Sequence, residues 1–277
     1  MSILLNGDCL DEMKELEDDS IDLIFCDLPY GQTSCKWDCK IDLQKFWIEI
    51  MRIKKTHTPI FMTTTTKFGV DLINTAPKKC PFRYDLVWVK SACVGFLSAK
   101  KMPMRKHEMI YVFYEKLPFY DLSSHTHKFI QSGDKDEVGK LYRDGVKRVD
   151  GMKGKYEPAL PTSIVKEELD EKYKNKGGLY SKVSRNGLLK AETHYDPPLP
   201  TSALEIKSTK GKHSTEKPVA LIEWILKYYS KEGGVVLDPT MGSGSTGVAC
   251  RNMKRNFIGI ELDPEIYGVA VNRIEED

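Results

Sequence analysis

The stretch Asp238-Pro239-Thr240-Met241-Gly242-Ser243-Gly244-Ser245-Thr246-Gly247 constrains the fold of this chain more than any other. It follows the apolar run Val235-Val236-Leu237 and precedes Phe257-Ile258-Gly259-Ile260, which ends on Glu261. Glycines at a strand-to-helix junction let the backbone approach a ligand closely, and the helix start offers N–H groups to it. An acid ending the next strand can accept both hydrogen bonds of a ribose diol. Gly242, Gly244 and Gly247 also spell G-x-G-x-x-G, nineteen residues before Glu261, so a dinucleotide site competes. Asp238 points elsewhere. It stands before the glycines, where a carboxylate can receive a ligand ammonium group.

The segments around this unit read as alternating strands and helices. Residues 21–26, 59–64, 84–89 and 109–114 are strand-like, and Leu43, Phe46, Trp47, Ile50 and Met51 recur at helical spacing. Such alternation predicts an α/β fold with a largely parallel sheet. Pro218 is expected in the first turn of a helix facing inward through Leu221, Trp224, Ile225, Tyr228 and Tyr229. Asp263-Pro264 is expected to cap a last helix with Ile266, Val269, Ala270 and Ile274 inward. The pattern lapses over residues 116–212, which are rich in Gly, Pro, Lys and Ser. There only residues 164–173 look helical, and an inserted module, long loops and partial disorder are all open readings.

A second motif, Asp27-Leu28-Pro29-Tyr30-Gly31, follows the strand at 21–26. Chemistry in doubly wound folds collects at the carboxyl ends of strands. Asp27 is an acceptor, and Pro29 lacks an N–H, which leaves the Leu28 and Pro29 carbonyls free to accept. Tyr30 offers a flat face for stacking. This set suits an exocyclic amine on a planar ring: two acceptors for its protons and an aromatic surface for the ring.

Together the two motifs resemble those of the amino-methylating DNA methyltransferases. Asp27-Leu28-Pro29-Tyr30 resembles their D/N/S-P-P-Y/F catalytic motif, with Leu28 in place of the first proline. Residues 238–244 resemble their D-P-F-x-G-S-G cofactor motif, with Thr240-Met241 in place of Phe-x. The catalytic motif comes first, as in the permuted β group. Asn6-Gly7-Asp8-Cys9 and His213-Ser214-Thr215-Glu216-Lys217-Pro218 resemble further elements, the second being H-x-T-x-K-P. Trp88-Val89-Lys90 and His107-Glu108-Met109-Ile110 resemble the stretch that helps house the target base. The resemblance implies a Rossmann-like, circularly permuted catalytic domain from residues 1–115 and 213–277, with a target recognition region at 116–212. It implies S-adenosylmethionine (AdoMet) as cofactor. Asp8, Cys9, Asp27, His213, Ser214, Thr215, Lys217, Asp238, Thr240, Gly242, Ser243, Gly244, Thr246 and Glu261 are the residues expected to bind it. Asp27, Leu28, Pro29 and Tyr30 are expected to carry the reaction, and no metal is needed.

The implied reaction methylates the N6 amine of adenine in a flipped-out DNA base. Cytosine N4 is the alternative, because both are ring amines beside a ring-nitrogen acceptor. From other classes, a NAD-dependent oxidoreductase and a DNA-binding protein without catalysis compete. Charge favours a polyanionic partner: residues 116–212 are net +5, whereas 1–115 are net zero and 213–277 net −3. Arg143, Lys147, Arg148, Lys153 and Lys155 are the densest basic cluster and are expected on phosphates, and Trp37 is expected either over the base or in the core. A homodimer and a cognate restriction endonuclease are further partners the family suggests.

Composition excludes other classes. With 40% hydrophobic and 30% charged residues at net +2, the chain is neither collagen-like nor wholly disordered. No run of about 18 apolar residues predicts a membrane span. Seven cysteines and the absence of a basic leader predict a reducing, cytoplasmic setting without a disulfide framework. Cys9, Cys26 and Cys250 are expected as core thiols. Cys35 and Cys39 lack the second pair that a structural zinc site requires.

Overall fold

The computed structural model describes residues 1–31, 40–94, 101, 105–124, 126–131, 152–157, 204–206 and 216–276. The elements are β1 (Ser2–Asn6), α1 (Cys9–Glu12), β2 (Leu23–Cys26), α2 (Leu43–Ile53), β3 (Ile60–Thr64), α3 (Thr66–Thr75), β4 (Phe82–Val94) and β5 (Arg105–Phe113). There follow β6 (Thr126–Gln131), β7 (Met152–Glu157), β8 (Leu204–Ile206), α4 (Val219–Tyr229), β9 (Val235–Asp238), α5 (Ser245–Asn252), β10 (Asn256–Glu261) and α6 (Pro264–Glu275).

Eight strands form one sheet in the order β1-β10-β9-β2-β3-β5-β4-β8. All neighbours are parallel except β5, which runs antiparallel to β3 and β4. The strand-by-strand alternation thus held, and the reversed β5 is the exception. It arises because β4 and β5 are consecutive, with no helix between them among the described residues to carry the chain back.

Every residue of β2 is buried, as expected of a central strand covered on both faces. Its side chains alternate between two cores. Leu23 and Phe25 join α4, α5 and α6 through Leu221, Ile225, Cys250 and Ile274. Ile24 and Cys26 join α2 and α3 through Phe46, Trp47, Ile50 and Leu72. Of the expected α4 face, Leu221, Ile225, Tyr228 and Tyr229 are buried, whereas Trp224 only flanks the core. Pro218 is the N-cap of α4 and not a first-turn residue. In α6, Ala270 and Ile274 are buried but Val269 is exposed. Asp263 caps that helix by accepting from the N–H groups of Glu265 and Ile266. Cys9, Cys26 and Cys250 are buried free thiols.

The main sheet reaches into the segment read as an insertion. β8 pairs with β4, Trp88 opposite Leu204, although three residues are too few to show a period. Just past residue 115, Tyr120 packs its ring on Tyr229, and the Asp121 N–H donates to the Tyr228 carbonyl at 2.7 Å. β5 ends at Phe113, beside the boundary expected at 115, whereas β8 and the contacts of residues 120–121 with α4 come from within the segment 116–212. Between them, β6 and β7 form a separate antiparallel pair that carries Lys153 and Lys155. Residues 164–173, Trp37, Cys35, Cys39, Arg143, Lys147, Arg148, His213, Ser214 and Thr215 lie outside the described residues. Among the described residues, no helix is long and apolar enough to cross a membrane.

Candidate active site

The parallel strands end on one edge of the sheet, and the two motifs meet there. β2 delivers Asp27, β9 delivers Asp238, and β10 delivers Glu261 to this edge. The reversal of β5 brings its early residues to the same edge, since Met109 pairs with Thr64 at the end of β3. Glu108 thereby arrives beside Asp27. A direct link joins the motifs: the Thr240 hydroxyl donates to the Asp27 carbonyl at 3.2 Å.

The Asp27 carboxylate is held on both oxygens. Oδ1 accepts from the Tyr30 hydroxyl at 2.9 Å and from the Thr63 hydroxyl. Oδ2 accepts from the Lys217 ammonium. Lys217 also lies 3.2 Å from Glu108 Oε1, and Lys90 pairs with Glu108 Oε2 at 2.5 Å. The four charges alternate as Asp27, Lys217, Glu108, Lys90. Burial pushes the Glu108 carboxyl up, but the ammonium groups of Lys217 and Lys90 outweigh it and leave it below its ordinary value. Burial pushes Lys217 down, but Asp27 and Glu108 outweigh that and raise it, so it stays protonated.

Tyr30 is more constrained than a stacking platform needs to be. Its hydroxyl donates to Asp27 and lies 3.3 Å from Glu108 Oε1, while its ring leans on Phe68 with centroids 5.2 Å apart. Burial first, then the charges of Asp27 and Glu108, raise its pKa well above the ordinary value. The phenol therefore stays neutral and donates. Leu28 is buried in the core beside α2 and anchors the loop, and Gly31 has a φ of +61° that a side chain would strain.

On the glycine side, Gly242 and Gly244 take φ of +53° and +83°. A Cβ on Gly242 would meet nothing within 4 Å, so that backbone borders open space. Asp238 is 3% exposed and organises the turn, accepting from the Thr240 N–H at 3.1 Å and from the Thr246 hydroxyl. Burial pushes its carboxyl up to about 7, against those hydrogen bonds. Glu261 accepts from the N–H groups of Gly242 and Asp263, and burial raises it. Asp8 caps α1 through the Leu10 N–H at 2.8 Å. Cys9 is directed into the core, and burial pushes its thiol up to about 12. Met241, where the family pattern has an aromatic neighbour, is buried against Gly259.

Ser243 and Ser245 are pinned from behind by Arg273, which also pairs with Glu216. Thr63, Glu216 and Arg273 were not singled out from the sequence as site residues. A threonine at a strand end, an acid before a lysine and an arginine on an ordinary helix carry no period or motif of their own. Lys217, expected among the cofactor-binding residues, meets the Asp27 carboxylate.

A buried carboxylate of raised pKa beside a glycine turn suits an ammonium-bearing ligand, because a cation there would restore its charge. Comparison with known proteins bears on which ligand. The model of the N6/N4 DNA methylase family matches residues 21–272. The chain is 24% identical over 311 residues to the type II methyltransferase M.HindIII of Haemophilus influenzae, covering 98% of this chain and 94% of that protein. A shorter match, 41% over 73 residues, joins it to M2.DpnII of Streptococcus pneumoniae and spans 27% of that protein's length. The crystal structure of the M1.HpyAVI–SAM complex has the same fold, with a TM-score of 0.57 at 19% identity over 99% of this chain and 100% of that one. Since the family match takes in both motifs and the whole sheet from β2 to β10, this chain belongs to the N6/N4 DNA methylase family.

Proposed function

We propose that this protein transfers a methyl group from AdoMet to the N6 amine of adenine in a flipped-out DNA base. The observation that carries the reading is Asp27 at the sheet edge: Tyr30 and Thr63 fix its carboxylate, and its main-chain carbonyl accepts from Thr240 of the glycine turn. Bound AdoMet supplies an electrophilic methyl group on a sulfonium. Asp238 would hold its ammonium group and Glu261 its ribose hydroxyls. Asp8, Ser243, Gly244 and Thr246 would complete the site, together with residues 213–215 of the resembled element.

Asp27 would accept a hydrogen bond from the target amine, localising the nitrogen lone pair. As the C–N bond forms, nitrogen gains positive charge, and the fixed carboxylate stabilises it. No covalent enzyme intermediate is required. Thr63 and Tyr30 keep Asp27 from turning, which limits the loss of orientation on binding. The methylated amine then releases a proton to solvent or to Asp27.

The base must leave the duplex, at a cost of a few kcal/mol. Tyr30 would face it, with Trp37 covering it. The basic segment 116–212, with Arg143, Lys147, Arg148, Lys153 and Lys155, would grip phosphates and read the sequence. Adenine is favoured because an Asp at the position of Asp27 usually goes with adenine, and a Ser with cytosine, in the family this chain resembles. Cytosine N4 is the second reading, since the same carboxylate serves either amine. The family places such enzymes in restriction–modification, with an endonuclease and a second copy of the chain as candidate partners.

The test is transfer of labelled methyl from AdoMet to DNA, followed by nucleoside analysis of the digest. N6-methyladenine supports the proposal. N4-methylcytosine keeps the mechanism and replaces the base. Absence of label from every DNA tried would overturn the reading.

A further inference from the structure

Lys217 takes one of the two acceptor positions on Asp27 Oδ2, the oxygen left to the target amine because Oδ1 already accepts from Tyr30 and Thr63. Its ammonium donates to Asp27 Oδ2, where the target amine would have to donate. A cation there also opposes the positive charge that develops on the amine during transfer. Asp27 cannot serve the amine fully while it holds Lys217.

Glu108 provides the alternative. It stands on β5, 81 residues from Asp27 in the chain, and the β5 reversal is what brings it here. Its Oε1 lies 3.2 Å from Lys217 Nζ, so the ammonium already touches both carboxylates. Its Oε2 is fixed by Lys90 from β4, and the Tyr30 hydroxyl lies 3.3 Å from Oε1. The side chain is 13% exposed and held on three sides. Lys217 can therefore shift from a shared position to Glu108 alone without losing a counter-ion.

We propose that Glu108 is a positioning residue for methyl transfer: it takes Lys217 off Asp27 when the target amine enters. The idea rests on the proposed reaction. It assigns Glu108 a role through Lys217 and gives it no contact with the base. Lys90 keeps Glu108 ionised and aimed, so that the acceptor of Lys217 is in place before the base arrives. Burial of the whole group strengthens the competition, because an ammonium without a carboxylate would be costly there.

Glu108→Gln removes the charge and keeps the shape. Lys217 then has Asp27 as its only carboxylate among its described partners, and the target amine is shut out. The expected result is a kcat lowered at least tenfold with KM for AdoMet within about threefold of wild type. The double variant E108Q/K217Q removes the trapped cation, so its kcat at saturating AdoMet should exceed that of E108Q. A binding readout runs alongside, with AdoHcy present. The duplex carrying the target base, once mapped, is compared with one whose base lacks the exocyclic amine. Wild type should prefer the amine, E108Q should lose the preference, and E108Q/K217Q should regain part of it. Thermal unfolding checks that each variant is folded. Wild-type kcat in E108Q, or a double variant no better than E108Q in both readouts, would overturn the proposal. Wild-type protein that methylates no DNA would instead overturn the reaction on which it rests.

Discussion

Arg273 on α6 reaches behind the glycine turn to Glu216: Nη2 pairs with the carboxylate, and Nη1 donates to the carbonyl and hydroxyl of Ser243 at 3.2 and 3.1 Å. The Glu216 side chain is 4% exposed, and its Oε1 also accepts from Ser245 at 3.3 Å. One guanidinium thus holds two walls of the proposed cofactor site, the turn at 243–245 and the segment that carries Lys217. Arg273→Ala leaves a buried carboxylate unpaired, which costs about 3 kcal/mol. Urea unfolding should show that loss, and calorimetry should show AdoMet binding weakened about tenfold. E216Q/R273A should be more stable than R273A, because the orphaned charge is gone.

Asp238 makes ligand binding depend on pH. Its carboxyl is raised by burial to about 7, from an ordinary value of 3.8. An acid raised on folding contributes stability below its unfolded pKa, and that contribution is lost as pH rises through the folded value. The ligand-free protein should lose stability from about pH 4 to pH 7, and Asp238→Asn should cancel the loss. A ligand ammonium needs the ionised form, so AdoMet affinity should fall as pH drops below about 7, approaching tenfold per pH unit. Titrations between pH 5.5 and 8.5 check this. A flat profile in wild type would remove the proposed contact.

Asp27→Ala should still bind AdoMet and transfer methyl groups orders of magnitude more slowly. Near-normal turnover by that variant would sink its role.

Thr63 is fully buried and donates to Asp27 Oδ1. Thr63→Val keeps the shape and removes a hydrogen bond to a charged group, worth about 1.5–3 kcal/mol. We expect kcat to fall about tenfold or more, with KM for AdoMet little changed, in steady-state assays.

Gly247 lies within α5 and is required for packing, not for backbone freedom. A Cβ there would lie 2.4 Å from Ile274 Cδ1 and 2.8 Å from Phe257 Cε1. Gly247→Ala should destabilise the protein by about 1–3 kcal/mol by overpacking. Ile274→Val in the same chain should recover part of the loss in thermal unfolding.

Much of the fold was legible because its signals are local. The apolar runs of β2, β3, β9 and β10, the spacing of Phe46, Trp47 and Ile50, and the Asp263-Pro264 cap each lie within one short window of chain. The two motifs were legible for the same reason, since a turn such as residues 238–247 is defined by neighbours in sequence. Yet the letters G-x-G-x-x-G alone fit a dinucleotide as well. Only membership of the family, together with the buried Asp238, separates the two.

The short β8, the packing of residues 120–121 on α4 and the reversal of β5 left no such mark. Pairing of a three-residue strand depends on a partner more than 100 residues away. Adjacent residues alone were enough for β2, β3, β9, β10, the two motifs and their order along the chain, because those rest on local steric and hydrophobic preferences. Folding alone brings Asp27 to Thr63 and Lys217, sets Glu108 on the other side of Lys217, and puts Arg273 behind the glycine turn. Those contacts join polar groups 36 to 190 residues apart in the chain. They exist because the sheet brings its strand ends to one edge, where burial makes each charge depend on its partner.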